Sequence, residues 1–473
     1  MYDQNLVSWR DLEGVDGFGA ASQEDLSQLL KALTAGQDIS NPGAAPGQGF
    51  PLRVESLEAT LRNTTFKEKH VRLWKQIPKL GAFNTVEEFN QIQSYGEGVD
   101  AFIDEGDLPE ESDSTYERKY SVVKYLGTTR KVSHVMSLVR PAHGNQIANE
   151  TVNGTLYLLR QLERSLFYGN SALSSIQFDG FQAIIEGNSP AKNIVDLRGR
   201  ALTEDDLNDS AMTVSDAPNY GQMTHLYLNP KAHSDLVKTF YPKARHDQFA
   251  KPDDGMVGLN VRGWTSPAGN VMFEPDTFIT DGGAPVAAGL GKVSKRPGAP
   301  TISAALAAAP NGSSQFAASD AGAYRYTVVA VNRFGKSAPV TVTGSPVSVA
   351  AGDGVTFDVT ESGIAPEWYE VYRSVAGGAA GTERLILRVA RTGGSQTLTD
   401  LNANLPGTTI AIGFQMDLEA VSFKQLAPMV KIPLATVDAS IRWMQLIYGV
   451  PVLYTPGKIF LFKNIGRAPG SIG

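Results

Sequence analysis

The sequence predicts an α+β fold with an all-β sandwich spliced into it. Residues 293–407 contain two clear strand stretches, Tyr324-Arg-Tyr-Thr-Val-Val-Ala-Val-Asn332 and Trp368-Tyr-Glu-Val-Tyr-Arg-Ser374, separated by turn signals. The chain before Val293 mixes helical spacing with short apolar runs. The chain from Thr408 onward has too few elements for a core of its own, so it is expected to pack back on what precedes Lys292. A module inserted in this way is expected on a surface, with few contacts crossing to its host.

The 473 residues suit two or three domains of roughly 100–200 residues each. With 42% apolar and 19% charged residues the composition is that of a folded chain. A net charge of −7 argues against a dedicated nucleic-acid clamp, which carries a basic face. The absence of cysteine excludes disulfides, thiolate zinc sites and cysteine nucleophiles, and suits a reducing cytoplasm. There is no basic-plus-apolar leader and no run of 18 apolar residues, so neither secretion by that route nor a membrane span is expected.

Residues 1–50 read as an acidic extended arm with one short amphipathic helix at Ser22–Leu33. Ser56–Trp74 has helical spacing. Glu97–Val139 reads as a long two-stranded excursion with segregated charge. The outgoing half carries Asp104, Glu105, Asp107, Glu110, Glu111 and Asp113, and the returning half carries Arg118, Lys119, Lys124, Arg130 and Lys131. Such a hairpin is stable only against another surface. A long helix follows at Asn145–Tyr168, with Ile147, Val152, Leu156, Leu159, Leu162 and Leu166 as its apolar stripe and Gly169-Asn170 as a left-handed cap. Thr203 begins another helix, with Glu204, Asp205 and Asp206 complementing its dipole. His225–Pro230 is a short strand stopped at Asn-Pro, Lys231–Phe240 a helix and Asn270–Ile279 a strand. Past the sandwich, Asp438–Tyr448 is helix or strand. Val450–Asn464 is expected as a hairpin around Thr455-Pro-Gly457.

Within the sandwich, Tyr324, Tyr326, Val328 and Ala330 alternate with Arg325, Thr327, Val329 and Val331, the pattern of a two-faced strand. Asn332-Arg-Phe-Gly335 is a hairpin turn. The stretch resembles the last hairpin of a fibronectin type III domain, Trp368–Ser374 a middle strand, and Gln396–Asp400 the strand before the last hairpin. Here the "last" hairpin comes first, so an immunoglobulin- or fibronectin-like module of altered topology is expected.

Chemistry is hard to find. The six histidines, His70, His134, His143, His225, His233 and His246, form no metal-ligand spacing. Gly282–Lys292 fails as a phosphate loop, with Val286 in place of its first glycine and Val293 in place of its serine or threonine. There is no nucleophile elbow. The carboxylates of 104–113, interrupted by Gly106 and Pro109, read as a solvated loop, not as a glycosidase pair. No catalytic, cofactor or metal residue is expected.

The order of elements outside the sandwich resembles the tailed-bacteriophage major capsid protein family. Leu162-Glu-Arg-Ser-Leu-Phe-Tyr-Gly169 followed by Phe178-Asp-Gly-Phe181 looks like the end of that family's spine helix. Tyr448-Gly-Val-Pro-Val-Leu-Tyr454 and Phe462-Lys-Asn-Ile-Gly466 look like its closing strands. The resemblance implies an N-terminal arm at 1–55, residues 56–95 leading into the peripheral domain, and an extended loop at 96–136. It further implies a peripheral domain with spine helix at 137–190 and an axial domain at 191–292 and 408–435. The immunoglobulin-like insertion would occupy 293–407, projecting outward, and 436–473 would return to the peripheral domain.

The implied function is a non-enzymatic shell subunit of a virion, assembled in the host cytoplasm as hexamers and pentamers. Scaffold, portal and decoration proteins are its implied partners, with packaged double-stranded DNA nearby and no membrane. The charged residues of 104–131 named above become candidate inter-subunit contacts. Another phage structural protein of tail or decoration type, and a carbohydrate-active enzyme with a fibronectin-like accessory, are the competing readings.

Overall fold

The computed structural model describes residues 66–96, 102–108, 111–139, 144–244, 261–286, 293–436 and 438–469. The expected arm, its helix at Ser22–Leu33, His143, His246 and Glu110 lie outside the described residues. The elements below belong to one compact unit formed by residues 63–139 and 145–473.

The first elements are helix α1 (Leu73–Gln76) and strands β1 (Lys79–Gly81), β2 (Val86–Ser94), β3 (Thr115–Val122) and β4 (Lys124–Ser133), then helix α2 (His134–Leu138). β2 and β3 form an antiparallel hairpin. This corrects the expected excursion. The described acidic residues Asp104, Glu105, Asp107, Glu111 and Asp113 sit in the loop between β2 and β3 and form no strand. The returning half divides at Val123: β3 stays in the hairpin, while β4 leaves for another sheet. Val123 is buried, and its N–H donates to Thr85 O at 2.8 Å, which closes the base of the hairpin.

Helix α3 (Gln146–Tyr168) starts at Asn145, whose side chain accepts from the Ile147 N–H. Its buried edge is Gly154, Leu158, Leu162 and Leu166, a four-residue step along one face. The expected stripe is therefore displaced: Val152 is exposed, and Leu156 and Leu159 are half-buried. The helix lies so close to its sheet that a Cβ on Gly154 would fall 1.9 Å from Gln445 Oε1. The helix end also differs from expectation. Gly169 has φ −57°, not a left-handed value. A side chain there would meet Phe178 O at 2.5 Å and Ser165 O at 2.6 Å, so close approach of backbone is the reason for glycine.

Helix α4 (Phe181–Asn188) and strand β5 (Ile194–Asp196) lead to helix α5 (Glu204–Ser215), where Thr203 and Asp206 form a reciprocal capping box. Strand β6 (His225–Leu228), helix α6 (Pro230–Ala244) and strands β7 (Gly263–Ser266) and β8 (Gly269–Pro275) follow.

Strands β9 (Thr301–Pro310), β10 (Gly322–Tyr324), β11 (Tyr326–Asn332), β12 (Gly335–Lys336), β13 (Val340–Thr341) and β14 (Val347–Val349) come next. They are followed by β15 (Asp353–Thr360), β16 (Trp368–Arg373), β17 (Arg384–Ala390) and β18 (Ser395–Asp400). One sheet has the order β12-β11-β16-β17 with β13 on β11, and another the order β18-β15-β9. Tyr326, Val328, Phe357, Tyr369, Val371 and Leu398 are packed together in one core, so both sheets contribute to it. Every residue of β11 is buried. Val329 and Val331 of its second face cluster with Tyr372, Trp368 and Leu385.

That second face is turned to α3, and a handful of polar contacts join the sandwich to its host. Arg388 stacks 5.8 Å over the Tyr168 ring, and Ser174 Oγ donates to Glu367 Oε2 at 2.6 Å. Elsewhere Arg198 donates to Gln315 O and Asn402 O, each at 2.8 Å, and to Asp320 Oδ2 at 3.0 Å. The polar rim of the sandwich finds its partners on the host.

The last strands are β19 (Thr409–Phe414), β20 (Val421–Pro433), β21 (Ser440–Leu453) and β22 (Ile459–Ile465). One sheet has the order β1-β20-β21-β4, and a second the order β5-β22-β19-β6-β8-β7. β19 and β22 are almost wholly buried and lie between β5 and β6. β21 and β22 enter different sheets, so the expected closing hairpin does not form. β20 pairs with β21 along most of its length, and β22 joins the sheet of β5, β6 and β8. An apolar strand such as β22 fits the middle of a sheet covered on both faces. α3 packs with both sheets in the largest core, and α5 and α6 share a second core with β6, β8 and β22.

Candidate assembly surfaces

The β2–β3 hairpin has two unlike faces because strand residues alternate. The inner face carries Glu87, Phe89 and Gln91. The Phe89 ring meets Tyr454 edge-on at 5.2 Å, and Gln91 Nε2 donates to Tyr454 O at 2.5 Å. The outer face pairs Val86 with Val122, Glu88 with Tyr120, Asn90 with Arg118 and Ile92 with Tyr116. Tyr116 is 67% and Tyr120 72% exposed, and Val86, Ile92 and Val122 are also exposed. A row of apolar side chains on an open strand pair is the kind of surface that another chain covers.

At the far end, Ser112 Oγ donates to Gly96 O at 2.6 Å and pins the two sides of the loop. Gly96 and Gly106 have positive φ, which the reversal requires. Asp104, Glu105, Asp107, Glu111 and Asp113 are exposed and make no ion pair among the described residues. Phe102 is 91% and Leu108 87% exposed beside them. The loop is acidic and apolar at once.

The candidate basic residues do not line up opposite these carboxylates. Arg118 pairs with Glu88 at 3.4 Å and Lys119 with Glu117 at 3.1 Å. Lys124 Nζ donates to Ser175 O at 2.6 Å. Arg130 reaches Glu150 at 3.5 Å, and Lys131 reaches Asp438 at 2.6 Å. The exposed apolar outer face, Val86, Ile92, Tyr116, Tyr120 and Val122, was missed from sequence. In Val86-Glu-Glu-Phe-Asn-Gln-Ile92 the apolar residues stand three apart, so no alternation marked the stretch as a two-faced strand.

Where α3 meets the start of α1 lies a dry carboxyl pair. Glu163 on α3 is fully buried, and its carboxylate accepts from the N–H groups of Arg72, Leu73 and Trp74 at 2.8, 2.7 and 2.9 Å. It thereby caps the start of α1. Asp276, after β8, is also fully buried, and its Oδ2 has no hydrogen-bond partner among the described residues. Burial, and then the neighbouring Glu163 charge, push Asp276 up to about 8. Burial raises Glu163 as well, against the three N–H donors. Arg72 pairs with Glu274 at 2.5 Å beside them. Among the described residues no three histidine, aspartate or glutamate side chains gather as a metal site.

The SU10 major capsid protein family model matches residues 37–289, more than half of the chain. The chain belongs to that family. It is 27% identical over 472 residues to the major capsid protein of Staphylococcus phage K, covering 94% of this chain and 95% of that protein. It is 25% identical over 468 residues to a putative major capsid protein of Enterococcus phage phiEF24C, covering 93% and 94% of the two chains. Among solved structures, a chain from Gordonia phage Cozz aligns with TM-score 0.45 at 11% identity, covering 90% of this chain and 97% of that one. This major capsid protein is thus a shell-forming structural subunit of a phage virion, and the surfaces above are those of a molecule that meets copies of itself.

Proposed function

We propose that this capsid subunit assembles as hexamers and pentamers, with the β2–β3 hairpin and its loop reaching over a neighbouring copy. The observation that carries the reading is the hairpin's outer face, whose apolar residues are exposed and uncovered among the described residues. Many such weak contacts sum over a closed shell. The acidic loop, Asp104, Glu105, Asp107, Glu110, Glu111 and Asp113, then serves inter-subunit contact. Arg118, Lys119, Lys124, Arg130 and Lys131 brace the hairpin and its sheet in their own chain and form the second part of that contact surface.

The role proposed is structural, without an enzymatic activity. Residues 293–407 are proposed as an immunoglobulin- or fibronectin-like insertion displayed on the outside of the shell. The end of the family match at residue 289 supports that boundary. Scaffold, portal and decoration proteins are proposed partners, with assembly in the host cytoplasm. The packaged genome lies nearby without sequence-specific binding, in keeping with a net charge of −7.

Negative-stain microscopy of the purified protein tests this reading. Closed shells or six- and five-membered rings are expected. Open tubes or isolated compact monomers would overturn it.

A further inference from the structure

Between α3 and the β12-β11-β16-β17 sheet lies a cleft of about 250 Å³, lined by Arg164, Arg333, Lys336, Arg388, Glu370 and Trp368 among others. Four cations thus surround one carboxylate. Glu370 is 2% exposed and is already engaged by Lys336, by Arg388 at 3.6 Å and by the Tyr372 hydroxyl at 2.7 Å. Arg164 makes no ion pair or hydrogen bond among the described residues, and the Arg333 guanidinium makes none beyond its 4.7 Å stacking on Phe334. The Trp368 Nε1–H is buried without an acceptor. Partial burial, and secondarily the Arg388 charge, lower the pKa of Arg164. The cleft therefore has surplus positive charge, surplus donors and too few acceptors.

We propose that this cleft is a carboxylate-binding site that receives the acidic loop, residues 102–113, of a second copy of the chain. The proposal rests on the shell-subunit reading above. Each copy supplies one element of the pair: a loop with five described, exposed, unpaired carboxylates, and a cleft with unmatched guanidinium groups. The cleft's size admits one or two carboxylate side chains and excludes a nucleic-acid duplex, whose major groove alone is about 12 Å wide. Exposed Phe102 and Leu108 flank the carboxylates, while Trp368 and Phe334 offer apolar surface beside the cations. Guanidinium–carboxylate pairing in a partly dry cleft fixes register as well as contributing affinity.

Zero-length cross-linking of wild-type particles tests this without altering the subunit. A carbodiimide joins a carboxylate to an amine in direct contact; the amide forms as water is transferred to the reagent, which leaves as its urea. Mass spectrometry is expected to show Lys336 joined to a carboxylate of residues 102–113 in particles, and not in dissociated subunits. The Lys336–Glu370 link within one chain appears in both and serves as control. Finding that control link alone in particles overturns the proposal.

A charge exchange gives the second readout. Arg164→Glu removes no hydrogen bond or ion pair among the described residues, and it exchanges an attraction to Glu370 for one to Arg388. It is therefore expected to leave the subunit folded with a melting temperature close to wild type and to lower particle yield by about tenfold or more, because each small loss repeats at every contact. Asp104→Lys with Asp107→Lys is expected to do the same, and combining both sets to restore yield. A combination no better than either set, or wild-type yield from Arg164→Glu, overturns the proposal. Absence of particles from the wild-type chain would instead defeat the shell-subunit reading on which it rests.

Discussion

Glu163 holds the segment before β1 onto α3 with three backbone hydrogen bonds, and Asp276 beside it cannot ionise without placing a second negative charge in the same dry site. The other charged groups facing the pair are Arg72, Glu274 and Lys79, with Tyr227 close by. An unfolded aspartate titrates near 3.9, whereas Asp276 in the fold is pushed up to about 8. Between those values the native state holds a proton that the unfolded chain has lost. Its contribution is therefore full below about pH 4 and is lost progressively as pH rises through about 8. Asp276→Asn keeps the shape and offers an N–H donor beside Glu163, but does not titrate. The variant is expected to gain progressively on wild type between pH 5 and pH 8, by up to about 4 kcal/mol, since each unit in that window corresponds to about 1.4 kcal/mol. Chemical denaturation across that range measures it, and an offset that does not change with pH would sink the idea. None of this was legible in the sequence. Glu163 stood there as one polar residue in a helical stretch, and its partners lie far away along the chain at Arg72–Trp74 and Asp276.

The β2–β3 hairpin shows what a strand reading recovers and what it loses. The segregated charge of 97–139 did signal an excursion from the body, because neither half could be a buried strand. It did not reveal which residues pair. β4 looked like the returning arm, yet its partner is β21, near the other end of the sequence, in a register from Ser440↔Ser133 to Gly449↔Lys124. Pairings of that range leave no local signature. The outer face of the hairpin yields a prediction at this scale. Tyr116→Glu with Tyr120→Glu replaces two exposed side chains, so the isolated subunit is expected to keep its stability within about 0.5 kcal/mol. Particle yield is expected to collapse. Normal particles from this variant would show that the face stays open to solvent in the shell.

At the scale of the whole molecule, the sandwich touches its host through a handful of polar contacts. Replacing residues 293–407 by a Gly/Ser linker is expected to leave the two outer sheets folded, since all their strands lie outside that segment. It strips partners from Arg198, Tyr168 and Ser174, and a loss of about 2–4 kcal/mol is expected for a handful of polar contacts. Circular dichroism and thermal melting decide: a soluble product with a lowered melting temperature supports the architecture, and an unfolded one rejects it. That the segment after Thr408 must find its core elsewhere was legible from its shortness. Its division between two sheets was not, because the turn at Thr455-Pro-Gly457 reads the same whether it closes a hairpin or passes a chain between sheets. The central place of β19 and β22 also sets an order in time. β5, β6 and β8 leave the ribosome early, and β6 can pair with β8 at once, but β5 gains its neighbour and β6 its second one only after residues 409–465 have been made. The sandwich, whose pairings all fall within 301–400, is complete before then. During synthesis the finished sandwich therefore hangs on an unfinished sheet with open strand edges, and a nascent subunit is most exposed to mispairing with its siblings in that interval.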